Sequence, residues 1–138
     1  MRVVVDTNVL VGACLGMGAA AAVIEACLRG QDMPIVGNAL LSEYEDVLGR
    51  RELFRKCRLS EAERFELLDI FLSRCQWCIV YYAWRPNVRD EADNHLVELA
   101  VAGGADAIIT RNLRDLAGME LRFSNLRLLS PEDFLKEI

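Results

Sequence analysis

Residues 2–5 read Arg-Val-Val-Val, followed by Asp6, Thr7 and Asn8 before apolar residues resume. Three consecutive β-branched residues suit a strand buried on both faces, since a half-solvated strand alternates apolar and polar positions. Such a strand needs a layer on each side, which points to helices packed over a mainly parallel sheet. Asp6 then stands where that strand ends, and two roles are open to it there. A side-chain oxygen of Asp or Thr caps the next helix by accepting its unpaired N–H groups. The carboxyl ends of strands are also where open α/β sheets bind ligands.

The rest of the chain alternates in the same way. A helical stretch runs through Ala19–Leu28 and is closed by Gly30, and Pro34–Gly37 is a short second strand. Asn38 is expected to cap a helix whose Leu40, Leu41, Tyr44, Val47 and Leu48 follow the spacing of one helical face. Ser60-Glu-Ala-Glu63 is a capping box, opening a helix with Phe65, Leu68 and Phe71 inside. Trp77–Tyr82 reads as strand three, Arg85–Asp90 as a loop, Asp93–Gly103 as a helix and Ala107–Ile109 as strand four. Leu126–Leu129 is a candidate fifth strand, and Ser130-Pro131 starts a terminal helix with proline in its tolerated first position. Strand–helix alternation implies right-handed crossovers and a mostly parallel sheet of four to five strands. The expectation is one α/β domain over residues 1–138, with no repeat or linker.

At 138 residues the chain can bury a core without disulfides or structural metal. The alanine-rich run Ala19–Ala26 is interrupted by Glu25 and is too short to span a membrane. The N-terminal valines are too short for a signal peptide, so a cytoplasmic protein is expected. Five cysteines, mostly in apolar segments, read as free thiols of a reducing compartment. Cys75-Gln-Trp-Cys78 lacks a second zinc-ligand pair, since Cys57 and the sole histidine, His95, make a poor one. It also runs into strand-like residues, which places Cys78 in the strand core. A net charge of −5 argues against non-specific nucleic-acid binding. It leaves room for a nuclease whose acidity is concentrated in a metal site.

Several acids converge on the end of strand one. Glu43 lies about 100° from the centre of its helix's apolar stripe, at the core margin, whereas Asp46 faces solvent. With Leu96, Val97, Leu99, Ala100 and Val101 as the inward set, Asp93 falls on the stripe's centre line, while His95 and Glu98 point away. Asn112 and Asp115 follow strand four, one helical turn apart. Carboxylates this close repel and stay partly protonated unless a cation neutralises them. Hard divalent ions with oxygen ligands, Mg²⁺ or Mn²⁺, are the natural partners, and such sites activate water for in-line phosphoryl displacement.

The motifs V-V-x-D-T-N-V-L, L-L-x-E-Y-x-x-V-L, R-D-x-x-D-N-x-x-x-x-x-A, A-D-x-I-I-T-R-N-x-x-D-L and L-S-P-E-x-F-L occur in this order from Val3 to Leu135. Together they resemble the PIN domain, and within it the branch of toxin–antitoxin toxins similar to VapC ribonucleases. The resemblance implies a three-layer α/β/α sandwich, Mg²⁺- or Mn²⁺-dependent hydrolysis of RNA phosphodiester bonds, a small antitoxin partner and a homodimer. Carried over by position, Asp6, Glu43 and Asp93 match the first three acids. Many members have Thr-Gly-Asp after strand four. This chain has Thr110-Arg111-Asn112, which moves the fourth acid to Asp115 and leaves Asn112 as a neutral ligand or water-positioning amide.

By the same resemblance Thr7 and Asn8 orient Asp6, and Asp90 is an outer candidate only, better explained as a loop residue pairing with Arg89. A second ion, or a nearby arginine such as Arg111, would offset charge on the leaving oxygen, and Arg85, Arg89 and Arg114 are phosphate-binding candidates or plain surface residues. A haloacid dehalogenase phosphatase would need an Asp where Asn8 stands. A receiver domain would need paired acids after strand one, an Asp ending strand three and a later Lys. The serious rival is a PIN-like RNA- or protein-binding module with weak or absent catalysis, favoured by the Asn at the fourth turn.

Overall fold

In a computed structural model, which describes residues 1–80, 91–116 and 125–138 and only the backbone of 91–94, Arg2–Val5 forms β1. It is the middle strand of a five-stranded sheet with β2 (Met33–Val36), β3 (Gln76–Trp77), β4 (Ala107–Ile109) and β5 (Arg127–Leu129). The spatial order is β3-β2-β1-β4-β5 and every pairing is parallel. Val3 pairs with Ala107 and Val5 with Ile109. Val3, Val4 and Val5 are wholly buried, as a strand covered on both faces requires. The chain winds outward from β1 through β2 to β3, then returns to β1's other side with β4. That reversal makes the carboxyl ends of β1 and β4 the topological switch point, where crevices open in such sheets.

Among the described residues seven α-helices complete the α/β/α sandwich: α1 (Thr7–Cys14), α2 (Gly18–Leu28), α3 (Asn38–Leu48), α4 (Glu61–Arg74), α5 (Glu91–Ala102), the one-turn α6 (Leu113–Leu116) and α7 (Pro131–Glu137). Helix α5 packs on β1, β2 and β4 and also against α3, while α2 packs against α1, α4 and α7. The capping box at Ser60 is present in both directions, and Ser130 accepts the Asp133 N–H ahead of Pro131. Among the described residues no single helix is long and apolar enough to cross a membrane.

Four local expectations fail. Asn38 is the first residue of α3 and not its cap; Gly37 is the cap and makes no side-chain bond. A Cβ at Gly37 would stand 3.0 Å from the Cys78 carbonyl oxygen, so the backbone after β3 passes too close for a larger residue. Strand three is two residues long, with Trp77 48% exposed at the sheet edge, and residues 81–82 of its expected span lie outside the described set. Val101 is 51% exposed, because α5's inward stripe ends at Ala100. Cys78 is half-buried just past β3, its N–H donating to Val36 at 2.8 Å.

All five cysteines are free thiols. Burial pushes Cys14 up to about 11 and Cys27 and Cys75 up to about 12, so little thiolate forms there near neutrality. Brief alkylation of the native protein at neutral pH should therefore be confined to the half-buried Cys57 and Cys78. Mass-spectrometric mapping that finds Cys27 labelled as fast as Cys78 would contradict this packing.

Candidate functional site

The backbone carries the pairing of β1 one residue further, since the Asp6 N–H donates to the Ile109 carbonyl at 2.9 Å. Asp6 is the N-cap of α1, and its Oδ1 accepts the Thr7 N–H at 2.7 Å. The capping role is therefore real, but it occupies one oxygen only. Oδ2 accepts the Thr110 hydroxyl at 2.7 Å and the Asn8 side-chain amide at 3.2 Å. The residue is 7% exposed. Burial raises the pKa of Asp6 above the ordinary carboxylate value; the neighbouring Glu43 adds to this, and the bonds from Thr110 and Thr7 oppose it.

Glu43 reaches the same place from the flank of α3. Its Oε1 accepts the Thr7 hydroxyl at 2.6 Å, and its Oε2 accepts a hydrogen from His95 Nε2 at 2.7 Å. A carboxylate oxygen only accepts, so the hydrogen sits on Nε2. The Glu43 pKa is lowered, chiefly by the His95 bond; burial opposes this, and the Thr7 bond adds a smaller lowering effect. Tyr44, the next residue, donates its hydroxyl to the Val5 carbonyl and so ties α3 to the end of β1.

His95 is the main correction. Its side chain is 11% exposed and bonded to Glu43, where helical arithmetic placed it on the solvated face. That arithmetic took the sheet as α5's sole neighbour, whereas α3 covers a second flank of the helix. Thr110 was also underrated. It is wholly buried, and its hydroxyl donates to Asp6 while accepting the Asn112 N–H at 2.9 Å. Its place directly after a buried strand, paired in register with the Asp6 strand, was the signal available for it.

The turn after β4 is stitched to α1, because the Arg111 N–H donates to Asn8 Oδ1 at 3.2 Å. The Arg111 guanidinium, however, is held by Glu132 at the start of α7, at 2.6 Å. Asn112, Arg114 and Asp115 are exposed, and Asp115 makes no hydrogen bond to Asp6 or Glu43. Asp93 lies in the first turn of α5, but its side chain, like Asp90, Arg85 and Arg89 altogether, falls outside the described residues. Among the described residues no three His, Cys, Asp or Glu side chains are grouped to hold a metal. Asp6 and Glu43, bridged by the Thr7 hydroxyl, are still a fitting start for a hard cation. Their donors are all oxygen, and a cation would favour the ionised form of Asp6 that burial disfavours.

A family model for the PIN domain matches residues 2–114. Among solved structures, the fold is similar to VapBC2 from Rickettsia felis, determined bound to a DNA fragment from their promoter. That match covers 94% of this chain and 98% of the other, with a TM-score of 0.60 and 18% identity. At that identity the likeness is one of fold. No curated protein sequence matches.

Proposed function

The chain belongs to the PIN domain family, and from that premise we propose that it is a divalent-metal-dependent endoribonuclease acting as the toxin of a toxin–antitoxin pair. The observation that carries this reading is the coupling of Asp6 and Glu43 through Thr7 at the sheet's switch point. A Mg²⁺ or Mn²⁺ ion held by Asp6, Glu43 and Asp93, with Asp115 or Asn112 at the rim, would supply an acidified water and charge neutralisation at the phosphate. The chain's own residues prepare that place. Thr110, Asn8 and the Thr7 N–H fix both oxygens of Asp6, so its free lone pairs are oriented before any ligand arrives. Thr7 and His95 do the same for Glu43.

An RNA substrate needs cations, and the acidic chain concentrates some of them. Residues 50–58 contain five arginines or lysines and one acid in a protein of net charge −5. Lys56 and Arg58 line a recess of about 520 Å³ with Leu15 and Gly16, beyond the end of α1. Asp6 caps the start of α1, so the recess lies about 12 Å along the helix axis from that carboxylate. The likeness to a VapBC assembly supports an antitoxin partner for this chain too, and a homodimer in the cytoplasm belongs to the same proposal.

The free chain should cleave single-stranded RNA with Mn²⁺ or Mg²⁺ and not with a chelator present, and either metal should raise its melting temperature. Absence of cleavage with both metals, together with retained RNA or protein binding, would replace this reading with the non-catalytic binding module.

A further inference from the structure

We infer that His95 is a positioning residue that, with Thr7, clamps the Glu43 carboxylate from two sides. The inference deepens the metal-site reading and depends on it for one of its two measurements. A glutamate has three rotatable bonds, and fixing such a side chain costs conformational entropy. A half-exposed glutamate held by one hydrogen bond would still swing about that contact. Glu43 instead accepts at Oε1 from α1 and at Oε2 from α5. Two donors on two separate elements define the plane of the carboxylate as well as its position.

Both donors are themselves fixed. Thr7 is buried in the first turn of α1, directly after Asp6. His95 sits on α5 immediately before the buried Leu96 and Val97, so the helix that delivers it is anchored in the core. At 11% side-chain exposure, water competes poorly for Nε2. Because Nε2 carries the hydrogen that Glu43 accepts, it has no lone pair to offer a cation. The other ring nitrogen, Nδ1, is buried and has no partner among the described residues. The ring therefore acts through Glu43, and groups that hold a metal-binding carboxylate in this way commonly set affinity by about 10–100-fold.

His95 is the only histidine, so its imidazole signals need no assignment. In the metal-free protein, ¹⁵N-detected NMR should place the hydrogen on Nε2, and Glu43→Gln should move that resonance. A hydrogen on Nδ1, or no response to Glu43→Gln, overturns the proposal whatever the protein does with metals. In the second measurement, His95→Ala should weaken Mn²⁺ binding by about 10–100-fold. His95→Gln, whose amide can still donate, should recover most of that loss. Equal Mn²⁺ affinity in wild type and His95→Ala overturns the clamp, as does a His95→Gln variant no better than alanine. If the wild type binds no Mn²⁺ at all, the metal-site reading fails, and the metal-free spectrum alone decides the role of His95.

Discussion

Asp6→Asn should lower metal-dependent RNA cleavage by roughly 10²–10³-fold, the usual effect of losing one charge-stabilising group at a reacting centre. The metal-free variant should melt no lower than the wild type at neutral pH. Asparagine is as good an N-cap as aspartate, so the Thr7 N–H keeps its acceptor. The Thr110 hydroxyl can rotate to suit an amide, and only the longer bond from the Asn8 amide, at 3.2 Å, is lost. What disappears is a carboxyl whose charged form burial disfavours. The pKa of Asp6 is raised above its ordinary 3.8 in the folded protein, so this carboxyl favours folding at low pH and that contribution is lost as pH rises. Glu43 acts with the opposite sign: its lowered pKa stabilises above 4.5, and that support is lost on acidification. The difference between wild type and Asp6→Asn isolates Asp6. It should move in favour of the variant from pH 4 to pH 7, as thermal melts in chelator can test. A variant that keeps its cleavage, or that is destabilised more at pH 7 than at pH 4, would reduce Asp6 to a helix cap.

Tyr44→Ala should destabilise the domain by about 3–5 kcal/mol, the range for emptying a buried aromatic site. At this chain length that corresponds to a loss of roughly 10–20 °C in Tm. Tyr44 is wholly buried, and its ring meets Phe71 of α4 edge-on, with centroids 6.1 Å apart and planes at 70°. The truncation opens a void where α3 and α4 meet beneath the site. Tyr44→Phe keeps the ring but leaves the Val5 carbonyl without that donor, at a cost of about 1–3 kcal/mol. It should also slow cleavage more than its stability loss explains, because the hydroxyl ties α3, and with it Glu43, to the strand that ends at Asp6. A Tyr44→Phe protein with unchanged Tm would show that the hydroxyl contact contributes nothing.

Features whose cause lies within a few residues were legible in the sequence. The buried strand at Val3–Val5 follows from three adjacent β-branched residues, and the caps at Ser60 and Ser130 from side chains that reach amides three positions away. Glu43 at the core margin follows from the helical period alone, as does the buried face of Leu96, Val97, Leu99 and Ala100. The alternation of elements was enough for a parallel α/β sheet, and the order of motifs for the family.

What remained hidden depends on partners distant in the chain. His95 becomes an interior residue only because α3, 52 positions earlier at Glu43, lies across a flank that helical periodicity assigns to water. Thr110 meets Asp6 across 104 positions because β4 pairs with β1, and neither segment alone specifies that pairing. Gly37 replaces Asn38 as a cap because the backbone at Cys78 arrives beside it, and Arg111 turns to Glu132 because α7 docks nearby. Local sequence therefore determined which segments are strands and helices and that Asp6 and Glu43 border the core, because periodicity and capping act within one or two turns. Tertiary structure decided which donors hold those acids, because a hydrogen-bond partner across the sheet leaves no periodic trace in the sequence.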